Sequence, residues 1–461
     1  MNGAPRVSPS RPHLLIACLG SLLLLATVIL GLPIPMVALG LAILLAGVAT
    51  LMRPEFGLHV LVINAMVGLT HVVEMPRVGP FSAPVLIEGL VLGAILFQAA
   101  FLGRRPPIGT PQHMLLGVLA IWILISILAG VSVGPENFQQ YRNLFLVRLV
   151  MFILVSAILT TSRGIKRLLV TFMIANVGLL ITASLVRAGY FGAEKITVSQ
   201  NFERTGALVQ NPNELAFTLT TMLVVTLVAF LSVKRARLKL PLLCLAGVDL
   251  FVIMATLSRS GFISLCVVLA FLFFKLTHNM RAVSVIGILV VSGALMVPEE
   301  LFARFSKIDQ VQDVDRVQIM RVGMAMTRDH PLLGVGMGNY VAQFWNYNAS
   351  GMKRAAPAHN MYLDLAAQMG IPALAIYLAM LLATWWSLRR MEVDLKTAGR
   401  TRTFAYLMNL GIQAFFVNLV VFGLSGDVEF DYSTFIMLGM ALTLLAEHRR
   451  RRVPVGASGR N

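Results

Sequence analysis

Long apolar runs recur along almost the whole chain, and short polar segments separate them. Most runs are close to the roughly 20 residues that an α-helix needs to cross the hydrocarbon core of a bilayer. The pattern predicts an all-α polytopic membrane protein with about 14 transmembrane helices, the third of them short. The predicted spans are 13–31, 33–51, 56–71, 84–103, 113–131, 143–161, 166–187, 213–233, 240–257, 260–277, 281–298, 371–388, 403–424 and 431–447.

The composition supports a membrane protein. The 461 residues are 57% hydrophobic and 13% charged, with a mean hydropathy of +0.80, whereas a soluble domain has about 25% charged residues. Cys18, Cys244 and Cys266 lie inside apolar runs, a pattern that predicts neither a disulfide framework nor a metal site. The first run follows Arg6 and Arg11 but leads directly into a second span, so we expect a retained helix and not a signal peptide.

Basic residues are distributed unevenly between the loops. If the predicted helices alternate in direction, 24 of the 38 lysines and arginines fall on one side of the membrane. The positive-inside rule makes that side cytoplasmic, with both termini on it. The net charge of +17 therefore reflects membrane topology. No basic stripe is interleaved with aromatic residues, so we do not expect nucleic-acid binding.

One long polar segment separates the eleventh and twelfth spans and is predicted to lie on the outer side. The chain thereby divides into four parts. These are an N-terminal bundle of eleven spans at 1–298, an outer segment at 299–370, three C-terminal spans at 371–448 and a cytoplasmic tail at 449–461.

Local signals in the outer segment predict an amphipathic helix at about 314–329. Asp313 or Asp315 is expected to cap this helix, and His330-Pro331 is expected to end it. The segment Gly334–Asn339 predicts a tight turn in which the backbone passes close to another group. An apolar stripe at helical spacing is formed by Val317, Met320 and Met324.

The end of the outer segment carries the strongest candidate for a catalytic base. Asn360 is a good helix N-cap, Gly370 a good residue to end that helix, and Pro372 suits the first turn of the next one. His359 then precedes a helix N-terminus, where the partial positive charge favours a neutral, proton-accepting imidazole. Asp364, one turn into the helix, could orient the ring or face solvent. A surface histidine without function is the alternative, and His330 is the rival base.

Four arginines form the candidate anion site, and they come from three outer segments. Arg259 joins two apolar runs with almost no loop, so its guanidinium must sit at the mouth of the helix bundle among polar partners. Asn213, at a helix start, is expected to support the site. Snorkelling to lipid headgroups remains the alternative explanation for outer arginines. The candidate residues are Arg204, Arg259, Arg316 and Arg321.

Converging arginines near a bilayer surface indicate an anion, and a diphosphate carried on a lipid fits because arginine matches phosphate oxygens bidentately. The outer segments contain no paired carboxylates suited to hold a divalent metal; Asp309, Asp313 and Asp315 are nearest. We therefore expect no metal and no cofactor, with arginine replacing the charge of a cation.

The sequence resembles the O-antigen ligase and polymerase superfamily of bacterial envelopes, over about residues 250–385. The residues that carry the resemblance are Leu257–Gly261, Arg316, Arg321, Asp329–Gly336, His359–Leu363 and Gly370–Pro372, with a weaker upstream motif at Arg204–Gly206 and Asn211–Asn213. The resemblance implies a C-type glycosyltransferase-like fold in the inner membrane, with the active site in a periplasmic loop. It also implies metal-independent transfer of a glycan from undecaprenyl diphosphate to an acceptor hydroxyl.

The branch of the superfamily stays open at the sequence level. The ligase branch uses lipid A-core as the acceptor, and the polymerase branch extends another lipid-linked repeat unit. A transporter or flippase of lipid-linked sugars ranks lower, because no internal repeat is visible and the charges cluster at one surface. An assembly partner of an envelope complex has no specific support.

Overall fold

The computed structural model describes residues 48–67, 88–96, 109–188, 197–199, 202–204, 212–301, 310–348 and 355–452. The described chain is predominantly α-helical, with one short two-stranded hairpin. Seven of the described helical segments are long and apolar enough to cross a membrane. The chain is therefore a multi-pass membrane protein of helical type.

The helices before the outer segment overlap the predicted runs, except for a short helix that lies ahead of the run 143–161. Those in the first part are α1 (Pro54–Val67), α2 (Pro111–Leu128), α3 (Pro135–Gln140), a π-helical stretch (Tyr141–Leu146), α4 (Val147–Ile158) and α5 (Ser162–Arg187). A hairpin of β1 (Thr197–Ser199) and β2 (Phe202–Arg204) follows, with Thr197 paired to Arg204. The next helices are α6 (Pro212–Ser232), α7 (Lys239–Ala255), α8 (Arg259–Lys275) and α9 (Met280–Met296), with a 3-10 turn at Ala236–Leu238.

The outer segment and the last spans contain five helices. They are α10 (Gln310–Asp329), α11 (Tyr340–Tyr347), α12 (Met361–Thr397), α13 (Phe404–Phe422) and α14 (Tyr432–Arg452). From 56 onwards each predicted run overlaps a described helix, and several runs extend a few residues past the helix end, as at 129–131 and 159–161. The runs 13–31 and 33–51 fall almost entirely outside the described residues.

Helix α6 lies at the centre of the bundle, because 83% of its apolar window is buried. Asn418 of α13 ties it to two neighbours. The Asn418 amide donates to Phe217 O and to Thr221 Oγ1, both at 3.1 Å, and Ser264 of α8 donates to Asn418 Oδ1 at 2.6 Å. These bonds satisfy polar groups that would be costly to leave unpaired inside a membrane.

Further contacts show which helix ends lie together. The starts of α6 and α8 approach so closely that a Cβ on Gly261 would lie 2.4 Å from Ala216 Cβ. The start of α12 meets the end of α13, where Met361 N donates to Gly423 O at 2.9 Å. We call this end of the bundle, formed by 212–213, 258–261, 359–364 and 423–431, the His359 end.

Helix α10 corrects one expectation and leaves the apolar stripe outside the core. It already includes Gln310, so Asp313 and Asp315 lie inside the helix and are not its caps. The predicted stripe is exposed, and the opposite face, with Ile319, Val322 and Met326, is the buried one. The reason is that both faces are apolar, and the helix packs the face that meets α11 and α12 into a small second core. The predicted end at His330-Pro331 is confirmed.

Helix α12 consists of two helices that meet at Gly370. Asn360 caps the first, with its Oδ1 accepting from Tyr362 N and Leu363 N at 3.1 and 3.0 Å. Gly370 has φ +85°, and a Cβ there would lie 1.9 Å from Leu332 O. Only glycine fits this position. The predicted cap at Asn360 and break at Gly370 are confirmed.

Candidate active site

His359 is held against the loop that joins α13 to α14. Its neighbour Asn360 donates through Nδ2 to Leu424 O at 3.1 Å, and Tyr362 Oη donates to Val420 O at 2.9 Å. With the Met361 bond to Gly423, these contacts fix the first turn of α12 on the end of α13. The loop that follows Gly423 is thereby brought beside the imidazole.

The imidazole pairs with Asp427 of that loop. His359 Nδ1 lies 3.3 Å from Asp427 Oδ2, and the side chains are 43% and 27% exposed. A carboxylate beside Nδ1 favours the tautomer with the proton on Nδ1 and the lone pair on Nε2. The exposed ring therefore has a partner that orients it and a nitrogen that can accept a proton.

The backbone of His359 is left-handed, with φ 50°. This conformation is unfavourable for a residue with a Cβ and persists where the surroundings determine it. Here the preceding Ala358 is buried and the following Asn360 is fixed as a helix cap. The strain places the ring outside the helix, directed at Asp427.

Asp364 lies beneath this pair and does not bond to His359. It is buried, accepts from Gln368 Nε2 at 2.6 Å through Oδ2 and interacts through a hydrogen bond with Glu429. Neither predicted alternative for Asp364 fits, because its side chain does not face solvent and another carboxylate contacts the ring. Asp427 is the carboxylate that contacts the ring, and Asp364 belongs to a buried network behind it.

Glu429 completes the network, and its environment favours the protonated form of its carboxyl group. Burial, followed by the charges of Asp364 and Asp427, holds the pKa of Glu429 well above its usual range. Its Oε2 is buried and has no hydrogen-bond partner among the described residues, which a neutral carboxyl tolerates better than a carboxylate. A protonated Glu429 can donate to Asp364. The loop is fixed further by Tyr377 Oη, which donates to Glu429 O at 3.0 Å.

The glycine-rich turn 334–338 supports the same network. Gly336 N donates to Gln368 O at 2.9 Å, and Gly338 N donates to Gln368 Oε1 at 2.6 Å. A Cβ on Gly334 would lie 2.4 Å from the carbonyl carbon of Gln368. The predicted close approach is confirmed: the backbone of this turn passes the first part of α12 and orients the amide that holds Asp364.

Arg259 begins α8 in a turn with its own constraint. Leu257 has φ 51°, and Ser258 caps the helix by accepting from Gly261 N at 3.1 Å. Ser258 Oγ donates to Asn213 Oδ1 at 2.8 Å. The structure therefore brings the predicted supporting residue Asn213 to the turn that carries Arg259.

The other three candidate arginines lie on α10 and at the end of β2. Arg321 is exposed on α10, a helix that packs against the first part of α12 through Gly323 and Leu363. Arg316 is exposed on the same helix, one turn closer to its start. Arg204 ends β2 and pairs through its backbone with Thr197; its side chain lies outside the described part of the chain.

His330 lies at the end of α10, where its Nε2 is 3.1 Å from Tyr347 Oη. This contact joins α10 to α11. Of the two candidate bases, only His359 has a carboxylate partner among the described residues, because Asp427 contacts it.

Asp427, Glu429 and Gln368 were not predicted as site residues. A signal was present as three acidic residues at alternate positions in 427–431, at the junction of the last two predicted spans. The described residues contain no group of three or more histidine, cysteine or acidic side chains arranged to hold a metal ion.

A protein-family model described as O-antigen ligase matches residues 242–378. No curated protein matches the chain. The matched segment contains Arg259, Arg316, Arg321, His359 and Asp364. The Asp427–Glu429 loop, Arg204 and Asn213 lie outside it.

Proposed function

We propose a specific reaction from the premise that the chain belongs to the O-antigen ligase superfamily, whose members are membrane glycosyltransferase-like enzymes of the ligase or polymerase type. The protein transfers a glycan from undecaprenyl diphosphate to a hydroxyl of lipid A-core. One observation carries this proposal: a histidine paired with a carboxylate lies at the same end of the bundle as Arg259.

The proposed topology has about 14 spans in the bacterial inner membrane, with both termini in the cytoplasm. The segment 299–370 then lies in the periplasm as a catalytic loop. The distribution of basic residues supports this orientation. The donor and acceptor are both membrane-bound, so they meet the His359 end at the periplasmic surface.

Arg204, Arg259 and Arg321 bind the diphosphate, and Arg316 contributes as a fourth cation. Guanidinium groups pair with phosphate oxygens and neutralise the charge that develops as the diphosphate leaves. Asn213 supports this group through the Ser258 turn. No metal ion is required for the step.

His359 acts as the general base. Its Nε2 takes the proton of the acceptor hydroxyl while the oxygen forms a bond to C1 of the sugar. The bond from C1 to the diphosphate oxygen breaks, and its electron pair stays on the diphosphate. Attack from the face opposite the leaving group inverts the anomeric centre. Asp427 stabilises the imidazolium that forms, as carboxylates do beside catalytic histidines.

A repeat-unit polymerase of O-antigen or exopolysaccharide is the alternative, because the same donor site and base serve either acceptor. A transporter of lipid-linked sugars is a more distant alternative.

Reconstitution separates these functions. The purified protein is placed in liposomes with an undecaprenyl-diphosphate oligosaccharide and either lipid A-core or a second lipid-linked unit. We expect free undecaprenyl diphosphate together with glycosylated lipid A-core, and no effect of EDTA. Extension of the lipid-linked glycan instead would assign the polymerase branch. Translocation of the donor without a new glycosidic bond would refute the enzyme, and loss of transfer in EDTA would refute the metal-free step.

A further inference from the structure

A cavity of about 480 Å³ opens on the side of the bundle formed by α7, α8 and α9. Its lining is apolar except for the thiol of Cys266. Phe274 and Val290, which line it, are exposed. The volume is within the range of about 300–1,000 Å³ that is usual for small-molecule sites. We call this cavity the α8 groove.

The α8 groove runs along α8 from the His359 end into the membrane. Its first wall residue on α8 is Phe262, one helical turn beyond Arg259, and its last is Phe274. At about 1.5 Å per residue these twelve steps cover about 18 Å, more than half of the roughly 30 Å hydrocarbon core. Met254 at the end of α7 and Gly293 near the end of α9 also line the part of the α8 groove closest to the His359 end.

Small residues give the α8 groove its depth. A Cβ on Gly287 would have no atom within 4 Å, and one on Gly293 would lie 3.5 Å from Leu250. Ala270 lines the same channel from α8. Longer side chains at these positions would fill the space, so the concave shape depends on these residues being small.

We propose that the α8 groove binds the hydrocarbon chain of the lipid diphosphate whose head group lies at Arg259, an inference that rests on the proposed function. Any lipid chain matches an apolar channel in the bilayer. A chain attached to a diphosphate held one turn away has a much higher effective concentration there. The channel starts beside the cation and is parallel to the direction in which a membrane lipid extends from its head group.

Two native cysteines provide the test. Cys266 lines the α8 groove, whereas Cys244, on α7, does not, and both are exposed free thiols. Purified protein in detergent is labelled with a small maleimide in the presence of farnesyl diphosphate, a short soluble lipid diphosphate, and each cysteine is followed by mass spectrometry. At about ten times its Kd, farnesyl diphosphate should slow labelling of Cys266 about tenfold and leave Cys244 unchanged.

Farnesol and inorganic diphosphate are the controls, because each carries half of the probe. We expect both to protect Cys266 less than farnesyl diphosphate at equal concentration. Equal protection by farnesol or by phosphatidylglycerol would mean an adventitious lipid only and would overturn the proposal. Unchanged labelling of Cys266 in farnesyl diphosphate would overturn it as well.

Gly287→Leu should fill the channel, and Gly117→Leu, on α2, is the matched control because neither Cβ meets another atom within 4 Å. By calorimetry, Gly287→Leu should weaken farnesyl diphosphate binding about tenfold without changing inorganic diphosphate binding, and the control should change neither. Chain binding without any glycan transfer would leave the α8 groove in place and remove the proposed function. If Gly287→Leu transferred glycan with an unchanged KM for the lipid donor, the proposed function would stand and the α8 groove would be refuted as the site of the hydrocarbon chain.

Discussion

His359 and Leu257 share a left-handed backbone, and within the described part of the chain no other non-glycine residue has a positive φ. One precedes the cap of α12, and the other precedes the cap of α8. His359 is followed by the helix cap Asn360, and Leu257 is followed two residues later by Arg259, a predicted ligand of the diphosphate. Strain of this kind is retained where a defined side-chain direction is needed.

Asp427→Asn tests the partner of the imidazole. The amide cannot stabilise a charged imidazolium as a carboxylate does, so we expect kcat to fall about 10²–10⁴-fold with little change in KM. Asp431→Asn is the control, because Asp431 lies in the same loop and accepts from Ser433 N, in the first turn of α14, at 2.8 Å. Steady-state transfer kinetics measure both. Equal losses in the two variants would indicate a general disturbance of the loop.

Glu429→Gln tests the neutral acid. Because the folded-state pKa of Glu429 is raised, its stabilising contribution is complete below the unfolded pKa near ~4.3. The contribution is lost as pH rises towards the folded-state value. Glutamine does not titrate, so the stability of Glu429→Gln relative to wild type should increase between about pH 5 and pH 8. Thermal denaturation across that range measures this, with exposed Glu300→Gln as the control. A pH-independent difference would contradict a neutral Glu429.

Local signals predicted His359 and the Asn360 cap because both depend on neighbours in sequence. The pairing with Asp427 was not predictable in this way. It arises from a tertiary contact between the start of α12 and the loop after α13, and no periodicity within either element encodes it. The role of Gln368 likewise depends on the glycine-rich turn that packs against it.

At the scale of elements, proline and glycine determine where the helices begin and end. Pro111, Pro135 and Pro212 start helices, and Gly370 separates the two parts of α12. The boundaries at Pro111, Pro212 and Gly370 were predictable because they follow from backbone chemistry alone, whereas the helix that starts at Pro135 lies ahead of the predicted span 143–161. The buried face of α10 was not predictable from the sequence, since apolar residues lie on both faces and only tertiary packing determines which face is buried.

Gly370→Ala tests the contact between α12 and the turn after α10. A Cβ would lie 1.9 Å from Leu332 O, whereas at Gly399, which also has positive φ, it would meet nothing within 4 Å. Gly399→Ala should cost about 1–2 kcal/mol from its backbone alone, and Gly370→Ala about 3 kcal/mol or more. Thermal unfolding in detergent compares the two. Similar melting temperatures would show that the close contact at Gly370 does not contribute.

At the scale of the whole molecule, the clustering of the starts of α6, α8 and α12 with the end of α13 determines which residues can cooperate. Alternation of the helices predicted that these ends lie on one side, and their contacts agree. The lipid-facing channel beside α8 was not predicted, because it depends on how three helices pack.

Cysteine accessibility tests the proposed orientation. In a background without native cysteines, Leu332→Cys should react with a membrane-impermeant maleimide in cells whose outer membrane alone is permeabilised. Thr397→Cys, at the opposite end of α12, should react only after the inner membrane is broken. Both positions are exposed. The reverse pattern would place the His359 end in the cytoplasm and refute the periplasmic assignment.

The most direct test of the central claim compares His359→Ala with His330→Ala in the reconstituted transfer assay, with donor and acceptor saturating. Both histidines are partly exposed and come from the same outer segment, so expression and insertion provide a common control. We predict that His359→Ala lowers the rate about 10²–10⁴-fold and that His330→Ala stays near wild type. Near-normal transfer by His359→Ala, or loss of transfer in His330→Ala alone, would contradict the assignment of His359 as the base.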